Sequence, residues 1–240
     1  MKFVHAEIWE QDPGIIHGFG VRCSGEKKPA RRDWLGRRVV TKTSSLPLFS
    51  LRQVHGDRIV RLDGNNLPVE KIWQEEGDCL ITRTPGIALG VFTADCLPIL
   101  LYDPERRAIG VIHTGWRGTA RGVARKAVES MVSDFRCDGA KIEAALGPCI
   151  GPCCYEVDSP VRQAFDQGGF PWDSVSHSRG EGKWSLDLSL ANSLLLEASG
   201  VRKENIAALN LCTSCRGDLF YSYRKGDQAG GRQMNFIALR

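Results

Sequence analysis

The run of residues 87–113 constrains the fold more than any other part of the sequence. Three apolar stretches bounded by proline, glycine and charged residues lie in it, at residues 87–93, 99–102 and 108–113. This pattern predicts short buried strands. Because Asp-Pro-Glu-Arg at 103–106 is a turn sequence, the second and third strands are expected to pair as a hairpin. The hairpin would bring Cys96 close to His113, although 17 residues separate them.

The segment 118–134 is the strongest helix prediction. Apolar residues recur on one face at helical spacing, namely Ala120, Val123, Ala124, Ala127, Val128 and Met131. Thr114 or Thr119 is the expected N-cap. Because the helix would begin just after His113, its free N–H groups would form an anion pocket there. Arg117 would add a guanidinium suited to phosphate or carboxylate.

Other segments show the same two periodicities. Helices are predicted at 159–167 and 187–199, the second with Asp187 as N-cap and Gly200 as its stop. Further strands are predicted at 48–54, 58–62, 141–146, 205–211 and 233–239. At 240 residues the chain suits one large domain or at most two small ones.

Composition excludes several classes of protein. The net charge is only +4, and the densest basic clusters, Arg31-Arg32 and Arg37-Arg38, favour a solvated loop over a nucleic-acid arm. No apolar run approaches the roughly 18 residues of a membrane span, and the first residues lack a secretory signal. Nine cysteines without such a signal indicate reduced thiols and a cytoplasmic location.

His55, Cys96 and His113 are the outstanding candidate ligands. Each histidine ends a predicted strand beside or near a glycine, and the cysteine lies in a predicted bend. Three protein ligands leave a fourth position open, as in catalytic zinc sites. The spacing matches no local zinc motif, so structural roles for these residues stay equally open. Asp95 is a candidate for proton transfer or for orienting a ligand, with a turn hydrogen bond as the alternative.

A second group of thiols suggests another metal. The group consists of Cys149, Cys153, Cys154, Cys212 and Cys215. Cys212 and Cys215 form C-x-x-C, and Cys149 with Cys153 forms C-x-x-x-C. A four-cysteine zinc site is compatible with this pattern, but the sequence alone disfavours it because no second C-x-x-C is present and prolines crowd the first group.

No phosphate-binding loop of known type is present. The sequence contains neither G-x-x-x-x-G-K-[ST] nor a G-x-G-x-x-G that opens a helix. Arg224, in S-Y-R-K-G, is a candidate partner for a phosphate. A solvated turn is the alternative that the sequence alone favours.

Several longer motifs together resemble the YfiH or laccase-domain family, also called the polyphenol oxidase or purine nucleoside phosphorylase family. They are Q-V-H-G at 53–56, T-A-D-C-L-P-I-L-L-Y-D at 93–103, I-G-V-I-H-T-G-W-R-G at 109–118, L-G-P-C-I-G-P-C-C-Y-E-V at 146–157 and S-Y-R-K-G-D-Q-A-G-G-R-Q-M-N-F-I at 222–237. His17 to Phe19 and Arg22 also fit the family pattern. The sequence departs from it at 26–45, which is shorter and more basic than in most members.

The resemblance implies an α+β fold, a single-domain mixed layered arrangement of packed β-sheets flanked by helices over residues 1–240. It implies one zinc ion at positions matching His55, Cys96 and His113. It also implies purine nucleosides and phosphate as substrates, through phosphorolysis of adenosine, inosine or methylthioadenosine and hydrolytic deamination of adenosine. The expected catalytic residues are His55, Cys96, His113 and Asp95, and the expected substrate or phosphate ligands are Arg117, Arg224 and Arg22.

Three alternatives remain open at this point. Copper is disfavoured because five histidines cannot fill several copper centres and no axial methionine is evident. A metal-free hydrolase would use Cys96 as nucleophile with His113 or His55 as base, for example as an amidase on a peptidoglycan precursor. A binding module would use zinc only as a structural cross-link.

Overall fold

The computed structural model describes residues 2–22, 35–40, 45–64, 68–226 and 231–240. The predicted Arg31-Arg32 cluster and Cys23 lie outside these ranges. The strands in chain order are β1 (Phe3–Val4), β2 (Ile15–Gly20), β3 (Arg38–Val40), β4 (Ser45–Phe49), β5 (Ile59–Leu62), β6 (Cys79–Thr82), β7 (Ala88–Thr93), β8 (Leu97–Asp103), β9 (Ala108–Thr114), β10 (Glu143–Leu146), β11 (Glu156–Val157), β12 (Ser176–Gly180), β13 (Lys183–Leu186), β14 (Ile206–Ala208) and β15 (Gln233–Leu239). The α-helices are α1 (Val69–Gln74), α2 (Trp116–Ala120), α3 (Val123–Phe135), α4 (Ser159–Gln167), α5 (Trp172–Val175) and α6 (Leu188–Ala198).

The described strands form two six-stranded sheets and one three-stranded sheet. The first large sheet has the order β1-β2-β15-β7-β4-β3, the second has the order β14-β10-β8-β9-β6-β5, and the small sheet has the order β11-β13-β12. Apolar side chains from both large sheets meet in one core, for example Leu89 of β7 and Leu100 of β8. The two large sheets therefore pack face to face.

Helices cover the outer face of each large sheet. Trp73 of α1 packs against Phe92 of β7 on the first sheet, and Met131 of α3 packs in the cluster that contains Leu101 of β8 on the second. Alternate residues of β7 and β8 therefore point into different apolar layers, which explains why their sequences are continuous apolar runs. The predicted α+β layered architecture is confirmed.

The predicted hairpin is confirmed as β8 paired antiparallel with β9. Strand β8 begins two residues earlier than expected, because Pro98 pairs with His113 and its carbonyl accepts the N–H of Gly147 at 2.9 Å. Proline lacks only the donor of the ladder, so its acceptor still joins the neighbouring strand. This register places Cys96 beside Gly115.

The helix predicted over 118–134 is wrong as a single element. The chain forms α2 and then α3, and Gly122 between them has φ +72°. A left-handed residue breaks the helical hydrogen-bond pattern, and glycine adopts it without steric cost. The predicted threonine cap is also wrong, since Gly115 is the N-cap and the hydroxyls of Thr114 and Thr119 lie 3.0 Å apart, bonded to each other.

Several other predicted elements are confirmed. Strand β15 and helix α4 occupy the predicted ranges, and Asp187 caps α6 by accepting the N–H of Leu190 at 2.9 Å. The strand predicted at 48–54 is instead Ser45–Phe49, so residues 50–54 lie outside it. The hairpin of β12 and β13 and the short helix α1 were not predicted, because their sequences are short and polar.

Candidate metal site and its cavity

His55 lies in a strained turn that one carboxylate holds. Its φ is +59°, a left-handed conformation that side chains rarely adopt. The Asp78 carboxylate accepts the backbone N–H groups of Val54, His55 and Gly56 at 3.2, 3.0 and 2.7 Å. These three hydrogen bonds offset the strain and fix the direction of the imidazole.

Cys96 lies in the bend that joins β7 to β8. Asp95 before it has φ +88°, and its carboxylate accepts the Thr213 hydroxyl and the Arg224 N–H, both at 2.7 Å. The Asp95 carbonyl accepts the N–H of Ile150 at 2.9 Å. Asp95 thus ties three distant segments to the bend that presents the Cys96 thiol.

His113 is buried near the end of β9, and Asp78 also orients it. Its Nδ1 lies 2.7 Å from Asp78 Oδ1, which leaves Nε2 as the free ligand atom. The rings of His55 and His113 have centroids 4.8 Å apart. The ligand atoms of these two histidines and of Cys96 all lie within 4.8 Å of one another.

Two observations show that this donor set fits a metal. Two imidazoles and a thiolate suit zinc and related transition metals. A Cβ added at Gly115 would lie 3.0 Å from Cys96 Sγ and 3.6 Å from His55 Cδ2, so glycine keeps the space beside the donors clear.

The charged groups at the site stabilise one another and so oppose the effect of burial on their pKa values. Burial raises the pKa of Cys96, but the charge and hydrogen bond of His113, with a smaller effect of His55, hold it at about 6. Burial lowers the pKa of His113, but the Cys96 thiolate and Asp78 raise it to about 9. Burial also raises the pKa of Asp78, and the interactions with His113 and the turn N–H groups bring it below its usual value. A metal would displace the imidazolium proton, because ligands bind deprotonated.

The three candidate ligands line a cavity of about 720 Å³. Aromatic and aliphatic side chains line it, namely Phe92, Trp116, Ile150, Tyr155, Leu188 and Tyr223. Three guanidinium groups also line it, those of Arg117, Arg224 and Arg232. The cavity therefore combines aromatic and aliphatic side chains with positive charge beside the candidate metal site.

The arginines are held in place to different degrees. The Arg117 guanidinium lies 4.2 Å from the centre of the Trp116 ring. The Arg224 guanidinium donates to the carbonyls of Cys154 and Glu156 at 3.3 and 3.1 Å. Each arginine keeps further N–H donors for an anion, since a guanidinium carries five.

The structure brings most of the sequence-predicted residues together, but not Arg22. Its guanidinium donates to the Gly217 carbonyl at 2.8 Å and lies 4.7 Å from the Tyr221 ring centre, and it is not among the residues that line the cavity. His17 also lies apart from the cavity lining, packed against the rings of His5 and Trp9.

The sequence predicted an anion pocket at the N-terminus of a long helix, and that helix is not present at this point. The helix at this point, α2, has only five residues. Positive charge in the cavity comes instead from the three guanidinium groups.

Asp78 and Arg232 were not predicted from the sequence. Asp78 stands 23 residues from His55 and 35 from His113, in no motif that suggests a shared site. Its only signal is an acidic residue directly before a buried strand. Arg232 lies in a motif that was noted, but only the structure places it in the cavity.

Comparison with known proteins identifies the family. A model of the family described as "Multi-copper polyphenol oxidoreductase laccase" matches residues 26–240. The chain belongs to this family. The resemblance that the motifs indicated is thereby confirmed.

Individual members of the family carry enzyme names. "Purine nucleoside phosphorylase LACC1" of Mus musculus is 35% identical, covering 94% of this chain but 56% of the mouse protein, so the chain spans little more than half of that relative. "Adenosine deaminase RL5" of an unknown prokaryotic organism is 38% identical over 78% of this chain and 72% of its own. The crystal structure of the Bacillus licheniformis hypothetical protein YfiH matches with a TM-score of 0.83 and 29% identity, covering 97% of this chain and 94% of that chain.

The helices of the fold are short or only partly apolar. Within the described ranges, none has both the length and the apolar character needed to cross a bilayer.

Proposed function

We propose that this protein is a zinc-dependent purine nucleoside enzyme that cleaves nucleosides with phosphate and deaminates adenosine. One observation carries the proposal: an open set of three metal ligands borders a cavity that offers both aromatic faces and guanidinium groups. A purine is a flat apolar ring, and phosphate is an anion that guanidinium groups bind well. The names of the relatives support the same pair of reactions.

His55, Cys96 and His113 would hold the zinc ion. When bound, zinc acts as a Lewis acid and lowers the pKa of water, which is the chemistry that deamination requires. Asp78 keeps His113 in the tautomer that offers Nε2 and keeps the His55 turn in place. The protein thus supplies a prearranged site, with the strain at His55 compensated by hydrogen bonds.

Arg117, Arg224 and Arg232 would bind phosphate in the phosphorolysis reaction. A phosphate oxygen attacks the ribose C1′ carbon, the glycosidic bond breaks, and the purine leaves with its electron pair and takes up a proton. The guanidinium groups orient the phosphate and offset its charge. Trp116, Tyr155 and Phe92 provide apolar surface for the base and sugar.

Asp95 acts in this proposal as a positioning residue. Both of its carboxylate oxygens already accept hydrogen bonds, from Thr213 and from the Arg224 backbone. That arrangement favours holding Arg224 and the Cys96 bend over proton transfer to substrate.

Zinc agrees better with the donors than the copper centres that the family description suggests. A multicopper enzyme needs several centres rich in histidine. The chain has five histidines. Of these, His5 and His17 pack against each other away from the cavity, and His177 is exposed on β12.

Two broader expectations belong to the proposal. Residues from Ala6 to Leu239 share one core between the large sheets, which supports one domain over the chain. The thiolate ligands suit a reducing compartment such as the cytoplasm.

The experiment is product analysis with adenosine and inosine, in the presence and absence of phosphate. We expect purine base and ribose 1-phosphate with phosphate, and inosine with ammonia from adenosine without it. His113→Ala should lower both activities at least a hundredfold. His177→Ala is the matched control, because this exposed histidine lies outside the cavity lining, and it should retain wild-type rates. Equal turnover by wild type and His113→Ala would refute the proposal.

A metal-free Cys–His hydrolase is the second candidate, and one observation favours it. Without metal, Cys96 and His113 would form a thiolate and imidazolium pair, as the pKa of Cys96 at about 6 indicates. The effect of zinc on turnover separates the two functions, with iodoacetamide alkylation reporting whether Cys96 is occupied. In the zinc enzyme, loading with zinc protects Cys96 and raises activity, whereas in the hydrolase zinc would block the nucleophile and inhibit.

A further inference from the structure

We propose that Cys153, Cys154, Cys212 and Cys215 form a second metal site, a closed four-thiolate site for zinc that fastens one wall of the cavity. The four Sγ atoms lie within 4.8 Å of one another. This site is separate from the His55, Cys96 and His113 ligands and does not rest on the proposed function.

The sulfur separations match those of metal ligands. Cys215 Sγ lies 3.5 Å from Cys153 Sγ and 3.4 Å from Cys154 Sγ. Tetrahedral zinc with Zn–S bonds of about 2.3 Å places its sulfur atoms roughly 3.8 Å apart. Sulfur atoms of a disulfide are about 2.05 Å apart, so these two contacts are between thiols, and all four Sγ atoms lie close enough together to share one ion.

The backbone turn at Gly151 positions the sulfur atoms of the neighbouring cysteines. The N–H groups of Cys154 and Tyr155 both donate to the Gly151 carbonyl at 2.9 Å, and this tight turn directs the adjacent thiols of Cys153 and Cys154 to one place. The Gly151 N–H donates to Cys212 Sγ at 3.3 Å, an interaction that favours thiolate over thiol. A Cβ at Gly151 would lie 3.3 Å from Cys212 Cβ, so a larger residue would crowd the approach of the two loops.

Two of the four cysteines are exposed, so they do not serve simply as apolar residues of the core. Free cysteines are among the most buried residues of proteins, yet Cys153 and Cys215 are exposed. Cys149 shows the contrast. It is buried in the core cluster of the second sheet and does not belong to the group, which corrects the C-x-x-x-C pairing suggested by the sequence.

Nearby guanidinium groups offset the charge of such a site. Four thiolates and one divalent ion carry a net charge of −2. Arg179 donates to the Pro152 carbonyl at 3.4 Å, and Arg224 donates to the Cys154 carbonyl at 3.3 Å. Both cations therefore lie next to the cysteine turn.

The position of the site explains what it would do. The turn at Cys153 leads into Tyr155, which lines the cavity, and Thr213 between the other two cysteines donates to Asp95. Four protein ligands leave no open position, so the metal would be structural. It would hold the loop of residues 149–157 against the loop of residues 211–216.

Metal content of the full chain, purified with a phosphine reductant and loaded with zinc, tests the proposal. We expect two zinc ions per chain in wild type and one in both Cys215→Ser and Cys212→Ser. Cys149→Ala is the matched control and should retain two, because this thiol is next to the site but outside it. His113→Ala should also retain one, the zinc of the four-cysteine site.

Cobalt absorption and alkylation are measured on wild type, so their outcome does not depend on whether a variant folds. In wild type, the first equivalent of Co²⁺ should produce strong thiolate charge-transfer absorption, because the closed four-thiolate site binds more tightly than the open site. Zinc-loaded wild type should protect Cys153 and Cys215 from iodoacetamide, and chelation should expose them. One zinc ion per chain with rapid alkylation of these exposed thiols would overturn the proposal. A second zinc that survives Cys215→Ser would also overturn it.

Discussion

His55, Cys96 and His113 border a cavity, whereas Cys153, Cys154, Cys212 and Cys215 meet on two loops at the surface. The first group uses residues from three distant segments, and its position depends on strained backbone and a buried carboxylate. The second uses two pairs of adjacent or closely spaced cysteines, one of which lies in a glycine-containing turn. If both groups bind zinc as proposed, ligand number and backbone support, rather than the presence of cysteine, distinguish an open reactive site from a closed structural one.

The largest expected effect is a loss of folding stability in acid that arises at His17, outside both candidate metal sites. It must be distinguished from acid effects on the metal ligands. This histidine is buried, its Nε2 accepts the Ala6 N–H at 2.9 Å, and burial with the nearby charge of His5 lowers its pKa from 6.5 to about 4. The unfolded chain therefore takes up a proton below pH 6.5 that the folded chain refuses until about pH 4. Stability falls as the pH falls through this window, by roughly 3 kcal/mol.

Denaturant unfolding at several pH values checks this, with His17→Gln as the variant. Glutamine can accept the same N–H but does not titrate. The variant should lose less stability than wild type between pH 6.5 and pH 4. Parallel profiles for the two proteins would assign the acid sensitivity to other groups, such as the metal thiolates.

The next effect concerns the support of the open site. Asp78→Asn keeps the shape of the side chain but removes the charge that orients His113 and binds three turn N–H groups. Loss of such a partner weakens metal binding by about 10–100-fold. Zinc affinity measured by competition with a chromophoric chelator should fall by this amount at the open site.

Asp103→Asn is the matched control for that measurement. Asp103 is also a fully buried carboxylate, but it lies at the end of β8 and caps the turn to β9. Its variant should keep wild-type zinc affinity. An unchanged zinc affinity in Asp78→Asn would show that the Asp78 carboxylate does not support metal binding at the open site.

The smallest effect tests the space beside the open site. Gly115→Ala would place a Cβ 3.0 Å from Cys96 Sγ, so the thiolate must shift. Overpacking of this kind costs about 1–3 kcal/mol, and we expect the zinc affinity of the open site to fall about tenfold. Gly56→Ala is the control, because its Cβ would meet no atom closer than 3.5 Å. Equal zinc affinities in the two variants would contradict the close approach.

The sequence predicted the parts of the fold that local patterns determine. The β8–β9 hairpin, α4, α6 and β15 follow from apolar periodicity and turn residues, which act over a few positions. The break at Gly122 was missed because one glycine in a helical pattern is often tolerated, and only its positive φ shows that it ends a helix.

The candidate site was predictable to a lesser degree. His55, Cys96 and His113 came from strand ends and motifs, but their partner Asp78 meets them only through the pairing of β6 with β9. The four-cysteine group was disfavoured because the sequence lacks a second C-x-x-C. Adjacent cysteines can reach one centre only when a tight turn directs both, and that geometry is a property of the folded loop.

The most direct test of the contrast between the sites is a chelator titration of zinc-loaded wild type, following zinc release, adenosine turnover and near-ultraviolet circular dichroism together. We predict that turnover disappears with the first equivalent of zinc released while the dichroism is unchanged, and that the dichroism changes only with the second equivalent. Turnover that persists after the first equivalent is lost, or loss of tertiary structure with that first equivalent, would contradict the account.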